Sequence, residues 1–234
     1  MKKNSTLKSE SKSLVGVLTG DITNSQSFGN GDFDNILAAL REQLSNYATR
    51  YSGDFDVYRG DAFQLVVRQP QHCMQIAIRL RLALKAYSPS VDVRISVAVG
   101  EAQFRPSEVK TGTGEAFVLS GRGLDSIKPH YIAFYSSDKT LENQTQLLTR
   151  FADAHISGLT QTQSQTLLAY IEAEDKSHES VADILDKNRS NVSRILNASN
   201  YKLVAEYLRY MEQELVLWQQ EYEQVGTDKF NKEG

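Results

Sequence analysis

The sequence predicts an α+β domain followed by an all-helical segment. Three observations predict it: short apolar runs bounded by turn residues up to about Tyr135, helical periodicity between those runs, and no strand pattern after about Asp138. Leu14 to Leu18 is a compact apolar run before Gly20-Asp21 and reads as a buried strand. Asp32 to Tyr51 places Phe33, Ile36, Leu37, Leu40, Leu44 and Tyr47 at helical spacing. Phe55 to Tyr58 and Ala62 to Val67 are strand-like and meet at Arg59-Gly60-Asp61, a hairpin tip. Cys73 to Tyr87 returns to the helical period, and Val91 to Val99 alternates apolar and polar residues as a strand with one face on a core. The order strand, helix, strand, strand, helix, strand is that of a ferredoxin-like βαββαβ unit. A helix over about 115–127 and a strand over 131–135 extend it.

Helical segments follow near 139–155, 161–173, 179–185, 189–198 and 201–224. The organisation predicted is a disordered tail over 1–13, a first domain over 14–137, a helical linker over 138–159 and a second domain over 160–234 that ends in a long helix. The 40% hydrophobic and 24% charged content is that of a globular chain. A single cysteine, Cys73, excludes an internal disulfide and a multi-cysteine zinc site, and suggests a reducing, cytoplasmic setting. No apolar run reaches the roughly 20 residues of a membrane helix, and the start MKKNSTLKSESKS lacks the apolar stretch of a secretory signal. The charge is divided unevenly. Residues 1–159 carry 18 Lys+Arg against 16 Asp+Glu, and residues 160–234 carry 8 against 13, yet Lys187 to Lys202 holds four basic residues and no acidic one.

Two aspartates bear on chemistry. Asp21 ends the first strand and Asp61 sits in the hairpin tip, so in the predicted sheet they can converge above one edge. Two carboxylates with the backbone oxygen of Ile22 suit a hard cation such as magnesium with a nucleotide phosphate. Gly60 leaves room for a phosphate beside the backbone. The alternative is that Asp61 is a turn residue and Asp21 a cap. The two commonest phosphate-loop patterns, G-x-G-x-x-G and the Walker A motif, are absent. His72, His130, His155 and His178 show no ligand spacing.

Four motifs occur in order: GDITNS (20–25), RGDAFQ (59–64), VRISVAVGE (93–101) and GEAFVLSGRGLD (114–125). Together they resemble class III nucleotidyl cyclase domains, and more closely the cyclase-like SatD family, which pairs such a domain with a C-terminal helix-turn-helix. The resemblance implies that Asp21 and Asp61 bind Mg²⁺ or Mn²⁺. It implies that Arg122 contacts the triphosphate of a nucleoside triphosphate and supports the transition state. Arg59 and Gly60 join Arg122 as candidate nucleotide contacts. It also implies a homodimer in which Asp21 and Asp61 of one copy face Arg122 of the other. The chain departs from active cyclases at two places: Val57 stands where the purine-selecting lysine is expected, and Val118 where the catalytic asparagine is expected.

The second half reads as a DNA-binding module. Glu179 to Leu196 has helix-turn-helix spacing, with Ala182 at the helix crossing, Asp186 in the turn, and Val192 and Ile195 packing the second helix. Arg189, Ser190, Asn191, Ser193 and Arg194 are placed to meet base edges and phosphates of double-stranded DNA, with Lys187 and Lys202 flanking. Tyr201, Val204, Leu208, Met211, Leu215, Trp218 and Tyr222 recur at spacings of three and four. They form either a coiled-coil seam for a second copy or a face covered within the chain. The leading expectation is a nucleotide- and metal-responsive transcriptional regulator. The alternatives are a metal-dependent nucleotidyl cyclase or related nucleotidyltransferase, and a non-catalytic dimerising interaction protein.

Overall fold

Antiparallel pairing organises the first half. In this computed structural model, residues 13–23, 29–58, 60–88, 90–105 and 108–232 are described; the tail expected over 1–13 lies outside them, except for Ser13. Strand β1 (Ser13–Ile22) lies centrally and pairs antiparallel with both β3 (Ala62–Val67) and β4 (Val93–Gln103). Strand β2 (Asp54–Tyr58) forms a hairpin with β3, so the order runs β2-β3-β1-β4. The long β4 carries the short β5 (Thr113–Gly114) at its end and pairs in parallel with β6 (Ile132–Ser136). The architecture is α+β.

Period-two alternation sends β1 side chains to opposite faces. Leu18 and Ile22 join the larger core against α1 (Asn30–Arg50) and α2 (Cys73–Tyr87). Val15 and Val17 join a smaller core with Val66, Ala102, Phe104, Val109, Ala116 and Phe117, under α3 (Glu115–Ser126). Helix α2 is buried through most of its length because helices from the second half cover it. Those helices are α4 (Lys139–Ser157), α5 (Gln161–Glu172), α6 (His178–Leu185), α7 (Arg189–Ala198) and α8 (Tyr201–Lys232).

One buried cation ties the halves together. Arg81 of α2 is fully buried. Its guanidinium donates to Asp92 Oδ1 and Oδ2 at 2.8 and 2.9 Å, to Asp153 Oδ1 at 2.7 Å and to Ser157 Oγ at 2.7 Å. It also lies 4.4 Å from the Tyr131 ring centroid. Asp153 of α4 accepts in turn from the backbone N–H groups of Tyr131 and Ile132. Arg79 donates to the Ile171 carbonyl at the end of α5. The larger core therefore runs without a break from the sheet into α5, α7 and α8.

The heptad-like stripe of α8 is covered within the chain rather than left for a coiled-coil partner. Tyr201, Val204, Leu208, Met211, Leu215 and Trp218 are all buried, and Tyr222 donates to the Glu101 carboxylate. A stripe at spacings of three and four serves a core-facing helix as well as a two-chain seam. Here α2, α4 and the 3-10 turn Pro70–His72 fill the facing position. Among the described residues no helix is long and apolar enough to cross a membrane.

Candidate functional site

The open end of the central strands gathers the polar residues. Asp21 lies opposite Ala62 on β3 and Arg94 on β4. The Ile22 N–H donates to the Asp61 carbonyl at 3.1 Å, which draws the hairpin tip against the end of β1. Gly60 sits in that tip with φ +85°, a left-handed conformation that favours glycine. Gly20 permits the close approach behind Asp21. A Cβ there would stand 2.6 Å from the Arg94 carbonyl and from the Phe63 ring.

Alternation puts Thr19 and Asp21 on the face that α3 partly covers. Thr19 Oγ1 lies 2.9 Å from Ser120 Oγ of α3 and accepts from Gln64 Nε2 at 3.1 Å. This chain of hydrogen bonds ties α3 to β1 and β3. Beyond it the Asp21 carboxylate is held by a bidentate pair: Arg94 Nε donates to Oδ1 at 2.8 Å and Nη2 to Oδ2 at 2.5 Å. Both side chains remain about one-fifth exposed. A parallel guanidinium–carboxylate fork of this kind fixes orientation as well as charge. Arg94 is a member of the site that the motif reading passed over. The alternation of VRISVAV already put Arg94 and Ser96 on one face; the register that opposes Arg94 to Asp21 is the added information.

The sequence-derived residues divide into three groups. Asp21, Ile22, Gly60 and Asp61 are brought together. Arg59 lies outside the described residues. Arg122 stands elsewhere: Ser120 faces the sheet, and a residue two further on is turned about 200° around the helix. Arg122 is accordingly exposed, one turn from Val118, which is 47% exposed. In a single chain Arg122 does not face Asp21. Val57 lies in β2 and packs against the larger core.

The donor set is oxygen only, two carboxylates and a backbone carbonyl, which fits Mg²⁺ or Mn²⁺ rather than a soft metal. Among the described residues no group of three or more His, Cys, Asp and Glu is placed to hold a metal ion. A cation at Asp21 therefore needs ligand phosphates to complete its shell, and it would share the carboxylate with the Arg94 guanidinium.

A second polar surface lies on α7. Asp186, between α6 and α7, adopts the left-handed conformation at φ 49° and ψ 51°, and Asn188 caps α7 through the Ser190 N–H. Val181, Ala182, Val192 and Leu196 are buried between the helices, while Ile195, expected there, is half-buried. Arg189, Ser190, Asn191 and Arg194 are exposed. Arg194 donates to Asn191 Oδ1 at 3.0 Å, and Arg189 lies 3.2 Å from Glu179. Ser193 departs from the expectation of an outward contact: it is half-buried, with Oγ 2.8 Å from His178 Nδ1. Lys187 reaches Gln165 at 3.3 Å, and the Lys202 ammonium lies 5.9 Å from the Tyr201 ring centroid.

Solved structures similar to this chain include nucleotidyl cyclase domains. They include the guanylyl cyclase Cya2, at 15% identity and TM-score 0.39 over 49% of this chain and 71% of that one. The adenylyl cyclase CyaB of P. aeruginosa is 15% identical at TM-score 0.41, over 50% of this chain and 73% of that one. The monomeric guanylyl cyclase domain of the RhoGC fusion protein of Blastocladiella emersonii is 20% identical at TM-score 0.44, over 53% and 81%. At such scores the likeness assigns no residue a role. No family model matches the sequence, and no curated protein matches it.

Proposed function

We propose that the chain binds a nucleoside triphosphate with Mg²⁺ or Mn²⁺ at Asp21, Ile22 and Asp61, and that its reaction class is metal-dependent nucleotidyl transfer of the cyclase type. The observation that carries this reading is the convergence of Asp21 and Asp61 at one end of the sheet, beside the Arg94 guanidinium. A divalent cation held there neutralises phosphate charge and activates an attacking hydroxyl. Asp21 near the end of β1 and Asp61 in the turn before β3 support this reading, and the outward placement of Val118 and Arg122 suits a homodimer in which Arg122 serves the opposite copy. Val57 and Val118 stand where the purine-selecting lysine and the catalytic asparagine of active cyclases are expected, so either the substrate or the reaction differs from theirs. Incubation with each of the four nucleoside triphosphates and Mg²⁺ or Mn²⁺, with chromatographic separation of products, tests the reading. A product, or at least metal-dependent binding, is expected in the wild type and lost in Asp61→Ala. Intact triphosphate with no binding by calorimetry overturns it.

A second reading rests on α7, whose exposed Arg189, Ser190, Asn191 and Arg194 follow a left-handed turn. We infer that residues 160–234 act as a helix-turn-helix module for double-stranded DNA, making the protein a nucleotide-responsive transcriptional regulator. Arg194→Ala then weakens specific binding by about 1–3 kcal/mol if Arg194 reads a base. Unchanged fluorescence anisotropy at moderate salt removes that role.

A further inference from the structure

Arg94 meets Asp21 along one edge of its guanidinium. Nε donates to Oδ1 at 2.8 Å and Nη2 to Oδ2 at 2.5 Å, a parallel fork between side chains that are 22% and 23% exposed. Strand register, not a loop, sets this pairing: Asp21 stands opposite Arg94 across the β1–β4 ladder. The backbone beside it is closely packed, since a Cβ on Gly20 would lie 2.6 Å from the Arg94 carbonyl. The residues after Asp21 are tied down as well. The Ile22 N–H donates to the Asp61 carbonyl at 3.1 Å and the Thr23 N–H to the Asp92 carbonyl at 2.9 Å.

The fork limits what else Asp21 can hold. A carboxylate offers about four lone-pair positions, two on each oxygen. A bidentate guanidinium takes the inner position on each oxygen, the two that face the same way. Those are the positions through which one carboxylate bridges a pair of cations about 3.5–4 Å apart. The two outer positions point away from each other, so cations placed on them stand too far apart to act as such a pair. Charge works in the same direction, because a second divalent ion beside Asp21 lies against a guanidinium that solvent screens only in part. Ligands are few as well: among the described residues no group of three or more His, Cys, Asp and Glu is placed to hold a metal ion. Arg94 carries three N–H donors beyond the two in the fork, and these suit the oxygens of a phosphate.

We propose that Arg94 takes the place of a second cation: the site binds one divalent ion per chain, and the guanidinium supplies the other fixed positive charge to the phosphates. This inference rests on the nucleotide reading above and sets the stoichiometry and charge balance of that site. Arg94 is a polyphosphate-binding and positioning residue in this arrangement, and the ligand is a polyphosphate that brings a single divalent ion.

The test is equilibrium dialysis of the full chain against saturating Mn²⁺ and inorganic tripolyphosphate, which presents phosphates without a base or a ribose. Bound manganese is counted by atomic absorption, and its surroundings are read by electron paramagnetic resonance. The wild type is expected to hold one Mn²⁺ per chain, with the spectrum of an isolated ion. Arg94→Gln is expected to hold two, with the broadened spectrum of neighbouring ions. Arg94→Lys, which keeps the positive charge, is expected to return the count to one. Far-ultraviolet circular dichroism checks that the variants fold, and the wild-type count decides by itself if Arg94→Gln does not. Two Mn²⁺ in the wild type, or one in a folded Arg94→Gln, overturns the inference and leaves the nucleotide reading standing. No bound Mn²⁺ in the wild type overturns both.

Discussion

Asp21 holds its place through Arg94, and that pairing sets the terms on which any cation enters. Both carboxylate oxygens are engaged, so a divalent ion competes with a resident positive charge that is only partly screened by solvent. Arg94→Gln removes the competitor while keeping a donor of similar reach. Mn²⁺ binding without nucleotide, read by electron paramagnetic resonance, is expected to tighten about tenfold, equivalent to about 1.4 kcal/mol. Weaker binding would mean that Arg94 orients Asp21 more than it competes. Arg81 poses the opposite problem. Its removal strands Asp92 and Asp153, the latter almost wholly buried. Arg81→Met is expected to cost about 3–5 kcal/mol, because uncompensated charge remains in the core. The midpoint of denaturant unfolding checks it; a loss below about 1 kcal/mol would show that water reaches the two aspartates. Asp21 and Asp61 were legible in the sequence because one sits at the end of the first strand and the other in a recognisable hairpin tip. The Arg94 and Arg81 partnerships were not, since each depends on a register or a crossing that joins segments far apart in the chain.

At the scale of elements, helix α3 depends on a residue that contributes no side chain. A Cβ at Gly123 would lie 2.2 Å from both Ser96 Oγ and the Tyr135 ring. Gly123→Ala therefore pushes α3 off β4 and strains the Thr19–Ser120 contact, at an expected cost of about 1–3 kcal/mol. Gly121→Ala, where nothing lies within 4 Å of an added Cβ, is the neutral control in the same thermal melt. The 3-10 turn at Pro70–His72 carries a pH dependence. Burial holds the His72 pKa below its ordinary 6.5, with Glu212 opposing and Arg50 and Arg79 reinforcing the shift. The unfolded chain thus binds the proton more readily than the folded one. His72 contributes its full stability above about pH 6.5, and that contribution is lost as pH falls from there toward the lower folded value. In His72→Gln the slope of stability against pH between about 5 and 7 is expected to flatten; an unchanged slope assigns it to another group. Most elements were legible within a few residues, because each apolar period ends at a turn or a cap. β5 and the 3-10 turns escaped because two or three residues carry no period. The stripe of α8 was ambiguous in principle, as spacings of three and four describe both a seam and a core-facing helix.

The whole molecule follows from how α8 is used. Its apolar stripe is spent against α2 and α4, Arg81 bridges α2 to α4, and Arg79 reaches the end of α5. The sheet and the C-terminal helices share one continuous core, so neither can unfold without exposing the other's apolar surface. Cooperative melting of shared surface is what produces a single transition. The chain supplies its own reporter, since the only tryptophan is Trp218, buried in α8 at 6% exposure. Its fluorescence reads the helical half, while tyrosine signals and far-ultraviolet circular dichroism read both halves together. The expected result is coincident midpoints in urea for all probes. Leu215→Ala, a fully buried α8 position, is expected to lower every midpoint together, by about 2–5 kcal/mol of stability. Two separated transitions, with Leu215→Ala moving only the tryptophan signal, would show that the halves fold as independent units. Any signal between the Asp21 site and α7 would then have to cross a loose joint. Coincident midpoints mean that α2, α5 and α8 join the sheet and α7 in one cooperative unit.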